Sequence, residues 1–201
     1  MVEVFYPNLV HPDPALARQV NTQVDDAMAA LIDRFKTNAA ADSAPGSRST
    51  LLVEVAPELV SEGIFSISGV VFEVYGVSGR GSSGRLGRIF DLGDASPVLA
   101  ADLFIQGDLT RLAESARQHL IVDVLGDESA LAGPDGLLPD PANFDAVWLT
   151  ATGIGVGFDQ YQVAAPEVGN PAVLIPFAEL ADAIDTAGVL AALQDDGTLP
   201  E

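Results

Sequence analysis

Arg80, Arg85 and Arg88 place three guanidinium groups within nine consecutive positions of a chain that holds only 9 Lys and Arg residues against 29 Asp and Glu. A planar guanidinium donates paired hydrogen bonds to carboxylate or phosphate oxygens and to sugar hydroxyls, so the first chemistry the sequence offers is contact with an anion or a carbohydrate. The same stretch contains Gly79-Arg-Gly-Ser-Ser-Gly84, which has the spacing of a dinucleotide-binding glycine loop. Such a loop must open a helix whose N-terminus meets the pyrophosphate, whereas Arg85-Leu-Gly-Arg-Ile-Phe90 reads as strand. The glycines therefore predict a hairpin tip over 76–88, with the arginines carrying any ligand contact.

Other constellations are weaker. His11 and His119 lack any zinc-ligand spacing, and the chain has no cysteine, so neither a thiolate metal site nor a disulfide framework is available. Asp135, Asp140 and Asp145 do not have the spacing of a calcium loop, and Ser82-Ser83 lack a nucleophile elbow. The expectation is a protein with no cofactor, no metal and no catalytic residues. The alternative is a cell-wall glycan hydrolase, which would need two carboxylates about 5 to 9.5 Å apart in a deep pocket.

The formal charge of −20 disfavours a phosphate-backbone partner, and nucleic acid is not expected. A basic protein is the natural counterpart, although an acidic surface also serves solubility. A hydrophobic fraction of 48% is ample for a core. No run approaches the ~18 apolar residues of a membrane span, and Met1-Val-Glu-Val-Phe-Tyr6 does not read as a signal peptide. Any leader or anchor would lie outside this sequence.

The elements that must position these residues follow from periodicity. Val2 to Tyr6 alternates as an edge strand, and Asp13-Pro14 caps a helix whose buried stripe is Leu16, Val20, Val24, Met28, Leu31, Ile32 and Phe35. Residues 37–49 read as a linker. Runs 50–55 and 64–77 predict antiparallel strands around Ser61-Glu62-Gly63, with a bulge at Ser68-Gly69, and a strand resumes over 85–92. After an extended piece at 97–104, Asp108 opens a second helix burying Leu109, Leu112, Ala116, Leu120 and Val124 and ending at Gly126; a long loop covers 129–141. A hairpin over 144–161, a strand at 172–175 and a closing helix through Phe177, Leu180, Ala181 and Ile184 complete the chain. Trp148, Leu149, Val156, Phe158, Val173 and Ile175 should form the sheet core, with the first helix covering a sheet face. The fold class is α+β, an antiparallel sheet packed with helices.

Several of these segments resemble a known family. The run from Phe144 through Trp148, Gly153-Ile-Gly-Val-Gly157, Tyr161, Gly169 and Pro176-Phe-Ala-Glu-Leu180 is similar to the C-terminal domain shared by the anti-sigma factor RsiV and the peptidoglycan deacetylase PdaC. Val4-Phe-Tyr-Pro7, the helix containing Val20-Asn21, and Leu99-Ala-Ala-Asp-Leu-Phe104 resemble further elements of the same proteins. The resemblance implies an RsiV-like domain over 49–193, a small strand-helix companion with linker over 1–48, and a polar tail over 194–201. It also implies a secreted or cell-surface recognition module whose partner is a basic protein, with lysozyme the first candidate, or a cell-wall glycan. The deacetylase motifs of PdaC belong to a domain this chain lacks.

Two departures bear on the ligand. Between Tyr161 and Gly169 the family's Ala-Pro-Tyr is replaced by Ala164-Ala165-Pro166, and its Gly-Gly-Ala-His segment gives way to 76–88. The candidate ligand-binding residues are Arg80, Arg85, Arg88 and Tyr161. For Tyr161 and Gly169 a structural role is favoured over ligand contact, the ring packing and the glycine permitting a positive φ or a close approach.

Overall fold

The computed structural model describes residues 1–77, 79 and 81–194. Two sheets stack between helices. The larger has the order β1-β2-β3-β4-β5, built from Val2–Phe5, Thr50–Val60, Ile64–Val74, Gly81–Asp91 and Pro97–Val98. The smaller is β6-β7-β8, from Val147–Leu149, Gly153–Gly157 and Ala172–Pro176. All pairings are antiparallel except β1 with β2, which is parallel and therefore needs a crossover. Helix α1, Pro14–Ala41, supplies it.

Asp13 caps α1 by accepting hydrogen bonds from the Ala15 and Leu16 amides. Along its buried stripe, Val20 and Val24 pack with Phe65, Ile67 and Phe90, while Met28 and Phe35 pack with Leu51, Val53, Val71 and Leu86. The helix thus covers one face of the large sheet, as its periodicity predicts. It runs past the expected end at Phe35, because Ala39-Ala40-Ala41 favour helix and Thr37 satisfies itself on the Asp33 carbonyl. The predicted linker shrinks accordingly.

Behind β3 and β4, on the other face, lies the small sheet. Ile64 and Ile89 join Val147, Leu149, Ile154, Val156, Val173 and Ile175 in the largest apolar cluster. Helix α2, Thr110–His119, covers the outer side with Leu112, Ala113 and Ala116, and Leu120 just beyond it joins the same cluster. All six residues expected in the sheet core are buried. Because β3 is covered on both faces at its start, Ile64, Phe65, Ser66 and Ile67 are consecutively buried. The apparent change of phase at Ser68-Gly69 is therefore no bulge, and β3 pairs with β4 without a shift. The irregularity sits in β2 between Pro57 and Leu59, where proline lacks the donor the ladder needs.

Besides this apolar packing, a glycine and a serine bring the sheets together. Gly87 lets β4 cross β6 closely: a Cβ there would lie 2.5 Å from the Val147 carbonyl oxygen. Ser66, fully buried, accepts a hydrogen bond from the Leu149 amide at 2.8 Å. Ser66→Ala would leave that amide unsatisfied, so a loss of about 1–3 kcal/mol is expected in urea denaturation. A change within 0.5 kcal/mol would mean the amide finds another partner.

Elsewhere the chain departs from periodicity for local reasons. Extended pairing was expected over 97–104, but after β5 it turns into a 3-10 helix, Ala100–Leu103. The second helix widens into a π-helical turn, Leu120–Leu125, which rotates Val124 outward to 40% exposure before Gly126 ends it in the left-handed region. The loop expected over 129–141 is folded into short 3-10 turns. The predicted closing helix is a single turn, α3, Phe177–Leu180. It stops because 183–185 are drawn alongside 103–105, the Ile105 amide bonding to the Ala183 carbonyl and the Asp185 amide to that of Leu103. A further turn, α4, Ala191–Gln194, buries Leu193.

Candidate functional site

Strand β4 is paired with β3 along its whole length but with β5 only at Ile89 and Phe90. The free edge of its first half is taken up by the loop that leaves β7. The Gln160 amide donates to the Ser83 carbonyl at 3.1 Å, the Arg85 amide to Asp159 Oδ1 at 2.9 Å, and Asn170 Nδ2 to the Gly84 carbonyl at 3.2 Å. Gly84 makes this approach possible, since a Cβ there would lie 2.7 Å from Asp159 Oδ1.

Where strand and loop meet, a cleft of about 320 Å³ opens, lined on one side by Ser82, Ser83, Arg85 and Arg88 and on the other by Asp159, Gln160 and Tyr161. Arg34 from α1, Glu73 from β3 and Asp145 also line it. Three of the four residues proposed from sequence therefore share one cavity. Arg80 lies outside the described residues. Arg85 and Arg88 stand on a regular strand, so the hairpin tip predicted over 76–88 does not extend into 81–88. Of the glycines that suggested a tip, Gly84 and Gly87 serve close packing instead, whereas Gly79 has open space around it and a φ of +60°.

Arg85 is half-buried. Its Nε donates to the Asn170 carbonyl at 2.9 Å, and its stem packs over Gly157, where a Cβ would lie 2.7 Å from Arg85 Cβ and Cγ. Burial lowers its pKa from the ordinary arginine value, yet guanidinium keeps its charge in proteins. Arg88 Nη1 donates to the Gly87 carbonyl at 2.6 Å and stands 3.8 Å from an Asp145 carboxylate oxygen. Arg34 pairs with Glu73 at 3.2 Å, and Glu73 also accepts from the Tyr75 hydroxyl.

Tyr161 does not pack. The residue is 66% exposed and its backbone sits at φ +74°, the left-handed region that a tyrosine rarely adopts. This overturns the expectation of a buried ring. Gly169 does adopt a positive φ, +77°. On the residue before Tyr161, Gln160 Oε1 is buried with no hydrogen-bond partner among the described residues, an arrangement that costs about 1–3 kcal/mol.

Sequence reasoning missed Asp159 and Gln160, and no spacing rule could find them, because only the fold brings their loop to β4. It also gave His119 no role beyond noting that it and His11 lack zinc-ligand spacing. His119 in fact bridges two elements, Nδ1 lying 2.7 Å from Asp123 Oδ2 on the π-helical turn and Nε2 3.1 Å from Glu179 Oε2 on α3. The bond to Asp123 raises its pKa above the ordinary 6.5; burial opposes this and Glu179 adds to it. The stability this bridge gives is complete below the unfolded-state value of about 6.5 and is lost as pH rises through the folded value. The difference in melting temperature between wild type and His119→Gln should therefore shrink from pH 6 towards pH 9. A difference that grows with pH would contradict the bridge.

A scan of the sequence against protein-family models and a search of curated proteins each find no match. Among solved structures, the chain resembles a DUF3298 family member from Bacteroides fragilis, with a TM-score of 0.60, 15% identity, and coverage of 92% of this chain and 75% of that one. It also resembles a DUF3298 family protein from Pseudomonas aeruginosa, with a TM-score of 0.50, 15% identity, and coverage of 70% of this chain and 65% of that one. The structural neighbours thus come from the family of the RsiV and PdaC C-terminal domain, and what the likeness establishes is the fold: α+β, dominated by antiparallel sheet packed with helices.

Proposed function

We propose that this chain is a divergent RsiV-like module that acts at or outside the cell surface, without catalysis, by holding a cell-wall glycan in the cleft between β4 and the 159–161 loop. The observation that carries this reading is the side-chain set of the cleft. Planar polar groups on Arg85 and Asp159 can donate to and accept from sugar hydroxyls, and the exposed Tyr161 lines the same cleft, where its ring can cover the apolar face of a sugar. A non-catalytic role is supported by the commitments of the carboxylates. Glu73 is held by Arg34 and Tyr75, Asp145 lies beside Arg88, and Asp159 Oδ1 accepts from the Arg85 amide.

Co-sedimentation with purified peptidoglycan tests the proposal. The protein should pellet with the insoluble glycan, and soluble glycan fragments should release it. If it stays in the supernatant at every salt concentration, the reading fails.

The charge of −20 favours a second reading, a cationic protein such as lysozyme held on the acidic surface. Calorimetric titration with lysozyme should then show affinity falling as salt shortens the Debye length from about 10 Å at 0.1 M. Absence of heat at low salt would remove this reading.

A further inference from the structure

We propose that the glycan recognised in this cleft carries a carboxylate, and that Arg85 is the residue that receives it. This rests on the glycan reading above and adds the charge of the ligand. Among the charged side chains lining the cleft, Arg34 and Arg88 each have a carboxylate within 4 Å, Glu73 and Asp145 respectively. Arg85 has none among the described residues, and its guanidinium makes one hydrogen bond, through Nε to the Asn170 carbonyl. Its four Nη hydrogens are therefore not used by any of the described residues.

A half-buried cation without a counter-charge is unfavourable unless something compensates for the lost water. Here the group is also held in place. Its backbone amide is tied to Asp159, its Nε to Asn170, and its stem rests on Gly157 in a gap that only a glycine leaves. A fork fixed in this way loses little freedom on binding and matches the two oxygens of a carboxylate.

Charge over the rest of the molecule sharpens the inference. At −20 the protein repels anions at long range, so an acidic ligand must be captured by local contact. Salt weakens the long-range repulsion more than it weakens a half-buried ion pair. Affinity for an acidic glycan should thus hold or rise between 20 and 150 mM salt, roughly one Debye-length halving or more, opposite to the trend for a cationic partner.

The test is calorimetric titration of the full chain with three probes: the N-acetylglucosamine–N-acetylmuramic acid disaccharide, which bears a carboxylate, its neutral counterpart chitobiose, and acetate. The acidic disaccharide should bind at least tenfold more tightly than chitobiose, and acetate far more weakly than either. Arg85→Met, which keeps the stem over Gly157, should remove the preference for the acidic sugar while its melting temperature stays near wild type. Should Arg85→Met fail to fold, Arg85→Lys keeps the charge without the fork and should lose most of the preference. Equal binding of the two disaccharides would overturn the carboxylate inference and leave the glycan reading standing. Binding of neither would overturn the glycan reading itself, and acetate binding as tightly as the disaccharide would remove the sugar.

Discussion

Gly87→Val is expected to cost more than about 4 kcal/mol, enough to unfold much of the population of a domain whose total stability is of the usual 5–15 kcal/mol. The reason lies in what surrounds the missing Cβ. It would stand 2.5 Å from the Val147 carbonyl oxygen, 2.6 Å from its nitrogen and 2.7 Å from its carbonyl carbon, all backbone atoms of β6. No rotamer change can relieve that clash, so the two sheets would have to separate where Ile64, Ile89, Val147 and Leu149 pack. Urea denaturation should show collapse of the transition or its displacement to low denaturant. Gly79→Ala is the comparison: nothing lies within 4 Å, and only its φ of +60° opposes the change, so a loss of about 1 kcal/mol is expected. A midpoint for Gly87→Val close to that of Gly79→Ala would mean the crossing of β4 and β6 is looser than described.

Tyr161→Gly should separate stability from binding. A left-handed φ costs a non-glycine residue about 1–2 kcal/mol, and the exposed ring offers little burial to offset it. Glycine removes the strain but gains freedom in the unfolded chain, worth about 0.5–1 kcal/mol in the other direction. Stability should therefore stay the same or rise by up to about 1.5 kcal/mol. Affinity for the glycan should fall about thirtyfold, the effect of losing an aromatic anchor worth about 2 kcal/mol. A variant that loses stability by more than 1 kcal/mol and keeps its affinity would return Tyr161 to a structural role.

Much of this architecture was legible because it depends on short-range pattern. The cap at Asp13, the stripe on α1, the alternation of the β6–β7 hairpin and the six core residues all follow from period and turn chemistry. What failed depended on contacts distant in sequence. The glycines of 76–88 look like a flexible tip, yet Gly81, Gly84 and Gly87 belong to a strand, and the last two admit Asp159 and Val147, more than fifty positions away. Burial of β3 on both faces erased the alternation that would have shown its register, and the π-helical turn displaced Val124 without any breaker residue. For the site, arginine clustering pointed to the right strand. The other wall, Asp159-Gln160-Tyr161, carries no motif and becomes a site only by docking on the edge of β4.

The glycan cleft can be tested most directly by mapping ligand-induced shifts in ¹H–¹⁵N spectra of the full chain as the acidic disaccharide is added. The account predicts saturable changes concentrated in the amides of 82–86 and 159–162 and in the Arg85 Nε–H group, with the α2 and α3 surface around His119 and Glu179 unmoved. Shifts centred on that acidic surface or on the edge of β1, with Arg85 Nε–H unchanged, would contradict it.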